Sequence, residues 1–193
     1  LLYAALYWGG RAGNNDNNRN TIQIKVPGSN SYSTVTATEL DTYTDGGNNQ
    51  SRPYQAMADI TTLVSNAGDG QYWVGDLTAS EGSDSLGYYG GWSIALIYQD
   101  NNKPFSRLML FDGAVRVTGN NTVNVTIPNI ITPQSGSYNT HLGTRVWEGD
   151  ETISGDSLVF EGVTVSNGVN GGSNFWNSSI TNFNSHVSTK VPN

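Results

Sequence analysis

The sequence predicts an all-β fold, a β-sandwich or jelly roll of about ten strands with one short helix near residues 55–65. Three observations carry this expectation. Short apolar runs rich in Ile, Val, Tyr and Trp recur along the chain, and Gly, Asn, Asp or Pro punctuation separates them. Two segments, 21–26 (TIQIKV) and 122–127 (TVNVTI), alternate polar and apolar residues with the period of a half-exposed strand. Between Gly91 and Asp112, GWSIALIYQD and SRLMLFDG flank Asn101-Asn102-Lys103-Pro104 as two dense apolar runs, each too short for a globular helix.

In chain order, strands are expected at 2–8, 21–26, 33–38, 72–76, 94–98, 108–111, 114–118, 122–127, 143–148 and 157–165. The runs at 94–98 and 108–111 are expected to form a core hairpin buried on both faces. The helix is placed on PYQAMADITTLVS, where Ala56, Ile60, Leu63 and Val64 fall close to helical spacing. The Gly68-Asp69-Gly70 turn should end it. No internal repeat and no composition shift marks a linker, so a single domain over residues 1–193 is expected.

Composition narrows the function classes. Only 13% of the 193 residues are charged, against a typical figure of about 25%, so Asn, Ser, Thr and Gly must carry the solvation. Sixteen acidic and nine basic residues give a net charge of -7. No segment clusters Lys or Arg, which argues against nucleic acid as a partner. The chain has no cysteine, which removes disulfides, thiolate metal sites and a cysteine nucleophile without deciding the compartment. The longest apolar run, residues 1–8, is far short of the roughly 20 residues that cross a bilayer, so no membrane insertion is expected. Those residues lack the features of a signal peptide and read as a strand; starting without Met on a core strand suggests a processed or trimmed segment of a longer protein.

Several segments together resemble a recurring N-terminal module of large secreted bacterial and archaeal surface proteins, the kind that carry downstream "conserved repeat" β-sandwich domains. They are LYWGG (6–10), YQAMADITTLV (54–64), GQYWVGDL (70–77), YGGWSIALIYQD (89–100), SRLMLFDG (106–113), LGTRVWEGDETISGDSL (142–158) and NFWNSSIT (174–181). The resemblance implies an extracellular, cell-surface or filament setting. It implies no catalytic residues.

Catalytic readings find little to build on. Gly91-Trp92-Ser93-Ile94-Ala95 is a poor nucleophile elbow, because the strand begins at the serine and only His141 and His186 could act as base. Glu148, Asp150, Glu151 and Asp156 supply carboxylates, and a glycosidase needs two of them at about 5.5 Å or about 6.5 to 9.5 Å across a cleft. A structural calcium is the better use of such acids, because it wants about six to eight oxygens from carboxylates, amides and carbonyls. Three loops could hold it: 14–20 with Asp16, 41–49 with Asp41 and Asp45, and above all 148–156 with Glu148, Asp150 and Asp156.

Glycans enter in two ways. The segment Tyr88-Tyr89-Gly90-Gly91-Trp92 offers aromatic rings beside glycines that permit close approach, a candidate lectin-like surface through Tyr88, Tyr89 and Trp92. Sequons at Asn49, Asn120, Asn124 and Asn177 could instead carry attached glycan, with Asn124 on the polar face of its expected strand. None of the three lysines suggests an internal crosslink.

The functional expectation is a non-enzymatic, extracellular structural or adhesive module of a cell-surface protein or filament. Its partners would be other copies of itself or neighbouring surface-protein domains. Assembly by strand addition is one route, with the apolar start of the chain (Leu1, Leu2, Tyr3, Leu6, Tyr7, Trp8) completing the sheet of another copy. A lectin-like glycan-binding domain is the alternative, and a glycan-active hydrolase comes third.

Overall fold

The computed structural model describes residues 1–13, 17–43, 51–82, 87–119 and 121–187. In chain order the elements are β1 (Tyr3–Gly13), a 3₁₀ turn (Asn18–Asn20), β2 (Thr21–Lys25), β3 (Ser33–Thr36), β4 (Glu39–Thr42), β5 (Ser51–Asp59), α1 (Thr61–Ala67), β6 (Trp73–Gly75) and β7 (Gly90–Ile97). Two short hairpins follow, β8 (Val159–Phe160) with β9 (Val163–Thr164), and β10 (Thr181–Asn182) with β11 (Ser185–His186). The fold is all-β, as expected. A four-stranded antiparallel sheet, β4-β5-β1-β7, and a three-stranded one, β3-β2-β6, share a single core.

Alternation builds that core. Ala4, Leu6 and Trp8 of β1 share one face with Tyr54, Ala56 and Ala58 of β5, and meet Ile22 and Ile24 of β2 from the other sheet. The register sets large against small: Leu6 lies opposite Ala58 and Trp8 opposite Ala56. Each large aliphatic side chain sealed here contributes roughly 1.5–3 kcal/mol. Trp8 satisfies its only polar atom by donating Nε1–H to the Arg19 carbonyl at 2.9 Å.

The segment expected to be helical divides in two. Residues 51–59 are strand β5, and the helix runs Thr61–Ala67. Ala56 and Ile60 are four apart, a spacing that fits a helix face and a strand face equally well. β1 decides the matter by offering a partner for every β5 residue, from Ser51 opposite Gly13 to Asp59 opposite Ala5. The Ile60 N–H then donates to the Ala4 carbonyl, and Asp59 Oδ1 accepts the Thr61 N–H at 2.8 Å where the helix starts. Hydrogen bonds from the Thr61 side chain and backbone hold the Asp59 carboxyl below its usual range. Gly68, at φ 71°, closes the helix as expected.

The expected core hairpin is corrected. Its first arm is β7, paired with β1 from Tyr3 opposite Ile97 to Gly10 opposite Gly90. Its second arm joins no ladder, and Leu108 is 63% exposed. β1 already carries β5 on one side and β7 on the other, so the second arm could pair only along the outer edge of β7, and it makes no ladder there. The strands expected at 114–118, 122–127 and 143–148 likewise make no ladder among the described residues. Residues 157–165 fold as the β8–β9 hairpin, not a single strand, because Glu161 (φ 48°) and Gly162 (φ 78°) take the two left-handed positions of a tight turn. Strands β4, β5, β10 and β11 are additions to the expected set.

Candidate functional surface

Three neighbourhoods carry side chains that the core does not consume. The first lies on the outer face of the four-stranded sheet. There Gly9 and Gly91 sit directly opposite one another, and the Trp147 indole lies across the pair. A Cβ at Gly9 would stand 2.9 Å from the ring and one at Gly91 3.3 Å from it, so only glycine leaves room for the indole. Trp147 Nε1–H donates to Gln55 Oε1 at 2.9 Å, which fixes the ring to β5. Two residues earlier, the Arg145 guanidinium stacks 3.3 Å from the centroid of Tyr7 and donates to Ser93 Oγ at 3.4 Å. Burial lowers the Arg145 pKa. Burial, then Asp112, raises the Tyr7 phenol, with Arg145 opposing. Ser93 Oγ is thus part of this contact, accepting from Arg145.

This strap joins β1, β5 and β7 to a segment 50 residues or more beyond them in sequence. The paired glycine doublets in LYWGG and YGGW are the available signal, and the second is read above as permitting the close approach of a glycan, where the chain's own Trp147 takes the place. Their other members face the opposite way: a Cβ at Gly90 would meet Leu77 at 2.8 Å.

The second neighbourhood is the acidic turn at 148–156. Gly149 packs so tightly on the Trp176 carbonyl that an added Cβ would fall 2.2 Å from it. Asp156 Oδ2 accepts the Trp176 backbone N–H at 2.8 Å, and Asn174 Nδ2 donates to the Glu151 carbonyl at 3.1 Å. Glu148 adopts φ 69°, a strained backbone for a residue with a side chain. Burial, then the charge of Asp150, with which it shares a hydrogen bond, and then Asp156 push the Glu148 carboxyl up. The charges of Asp150 and Asp156 thus both act on Glu148. Among the described residues, however, no three carboxylates or imidazoles converge in a group that could hold a metal ion.

Asp41 lies on exposed β4 opposite Gln55. Asp16 and Asp45 lie outside the described residues, as do Asn49 and Asn120. His141 packs edge-on against Phe183 at 4.8 Å.

The third neighbourhood is the free edge at β7. Tyr88 is engaged by Arg11, whose guanidinium lies 4.8 Å from the ring centroid, and the Tyr89 carbonyl accepts the Arg11 N–H at 3.0 Å. Trp92 is 43% exposed, and Leu96 on the same face of β7 is 52% exposed. Of the apolar start, Leu1 and Leu2 are exposed and Tyr3 half-buried, whereas Leu6, Tyr7 and Trp8 are buried in the central strand of their own sheet. Both edges of β1 are occupied within the chain. The Thr61 side of the molecule adds a shallow open groove of about 470 Å³ between β3 and the start of α1, lined by Thr34, Thr36, Asp59 and Thr62 among others.

No helix among the described residues is long and apolar enough to cross a membrane. Comparison with protein-family models, with curated proteins and with solved structures gives no match.

Proposed function

We propose that this chain is an extracellular structural or adhesive module of a cell-surface protein or filament. In this reading it associates with other copies of itself or with neighbouring surface-protein domains along β7. The single observation that carries the reading is the character of that edge. β7 is the terminal strand of its sheet, eight residues long, without a charge or a proline, and Trp92 and Leu96 stand open beside it. An uncharged apolar edge of this length is the kind that pairs with another strand. The low charge of the chain and its resemblance to surface-protein modules support the same reading.

Strand donation by the first eight residues is not part of the proposal, because β1 is the centre of its own sheet. The test is light scattering across a concentration series. The chain should associate as concentration rises, and Leu96→Lys should weaken association about tenfold or more while leaving the circular dichroism unchanged. A chain that stays monomeric throughout removes the proposed edge.

A lectin-like reading draws on the same exposed Trp92. A glycan array that responds to the chain and falls silent with Trp92→Ala would replace self-association as the role of this edge.

A further inference from the structure

Two of the four sequons lie among the described residues, and the fold treats them differently. Asn177 is built into the structure. Its Nδ2 donates to the Val169 carbonyl at 2.8 Å, and its Oδ1 accepts from the Ser179 hydroxyl at 2.5 Å. Ser179 is the third residue of that sequon, so the hydroxyl a transferase reads is already turned back onto the asparagine. Ser178 between them holds φ 59°, and the preceding Trp176 N–H is tied to Asp156. Asn177 and Ser179 are both partly buried.

Asn124 has none of these restraints. Asn124, Val125 and Thr126 are all exposed, they belong to no ladder, and among the described residues no hydrogen bond holds the Asn124 carboxamide. Its sequon also ends in threonine.

From this contrast we infer that Asn124 is the N-glycan acceptor of the folded chain and that Asn177 is withheld from modification. The reaction requires Nδ2 to reach the anomeric carbon of an oligosaccharide carried on a lipid pyrophosphate. The Nδ2–C1 bond forms, the C1–O bond to the pyrophosphate breaks, Nδ2 loses one proton, and the lipid pyrophosphate departs. Asn124 can present that nitrogen without any change of fold. Asn177 must first break its bonds to Val169 and Ser179, releasing the segment that packs against Gly149. A glycan at Asn124 would also stand beside Val123 and Val125, both exposed apolar side chains of the same segment.

In a living cell the inference rests on the extracellular reading above, since the transferase works outside the cytoplasm. A purified transferase removes that dependence, so the two can fail separately. The folded chain, carrying Asn49→Gln and Asn120→Gln, is incubated with a purified oligosaccharyltransferase that accepts N-x-S/T sequons and with a lipid-pyrophosphate oligosaccharide. Site occupancy is then read by peptide mass spectrometry, before and after denaturation. The expected result is glycan at Asn124, its complete loss in Asn124→Gln, and modification of Asn177 only once the chain is unfolded. Glycan at Asn177 of the folded chain, or a bare Asn124, overturns the inference.

Discussion

The two edges of the four-stranded sheet are opposites. β4 is four residues long, carries Glu39 and Asp41, and is exposed throughout. β7 is twice as long, carries no charge, and leaves Trp92 and Leu96 open to solvent. A short charged edge repels a further strand, whereas a long apolar one accepts it. The same sheet therefore has one short charged side and one long uncharged side, the second being the side that the proposal assigns to assembly, and the difference comes from side chains, since the backbone groups on both edges are alike.

Mutations can break or sharpen this comparison. The largest effect is expected from Trp8→Ala, which empties the position that holds β5 and β7 together through β1. A loss of about 3–5 kcal/mol in chemical denaturation is expected, with hydrogen exchange rising at both edges at once. Gly91→Ala should cost about 1–3 kcal/mol, because the new Cβ presses on the Trp147 ring and lifts the strap from β7. A matching red shift of tryptophan fluorescence would show that the indole has moved into water.

A milder change separates the edges directly. Leu96→Lys on β7 should weaken self-association about tenfold or more, equivalent to roughly 1.4 kcal/mol, as measured by sedimentation. Leu40→Lys on β4 should leave it unchanged, because that edge is already charged. Equal effects at both positions would show that the contrast between the edges has no role in assembly.

The smallest effect concerns the acidic turn. The Glu148 carboxyl is raised in the folded chain by burial, then by Asp150 and Asp156. Below the ordinary carboxylate range both folded and unfolded states are protonated, and no penalty exists. As pH rises through the raised folded value, the folded chain comes to hold a charge it disfavours, and stability falls. Glu148→Gln should therefore raise the melting temperature at neutral pH and have little effect in acid. A pH-independent difference between the two chains would show that the burial and crowding of the Glu148 charge are not its cause.

Much of the first half of the fold was legible. The strands at 2–8, 21–26, 33–38, 72–76 and 94–98 were expected from alternation and strand-forming residues, and each has a ladder at or overlapping that place. The helix was legible in kind and displaced in position, because Ala56 and Ile60 satisfy two periods at once and only β1 could choose between them. The core hairpin was misread for a different reason. A run such as Leu108, Met109, Leu110, Phe111 records a tendency to be buried and extended, but says nothing about which edge is vacant. Of the strap only the glycine doublets are legible, since no local pattern shows that Trp147 will lie on Gly9 and Gly91.

The sequence by itself determined an all-β chain: short apolar runs, period-two alternation and turn residues act over a few neighbours and need no distant partner to be read. It also placed the acids at 148–156 and the sequons at Asn124 and Asn177. Tertiary structure decided which strand became central, which edge stayed open, which indole covers which glycines, and which asparagine keeps its amide free. Those outcomes depend on segments tens of residues apart competing for the same surfaces, and that competition is settled by packing and hydrogen bonding in three dimensions.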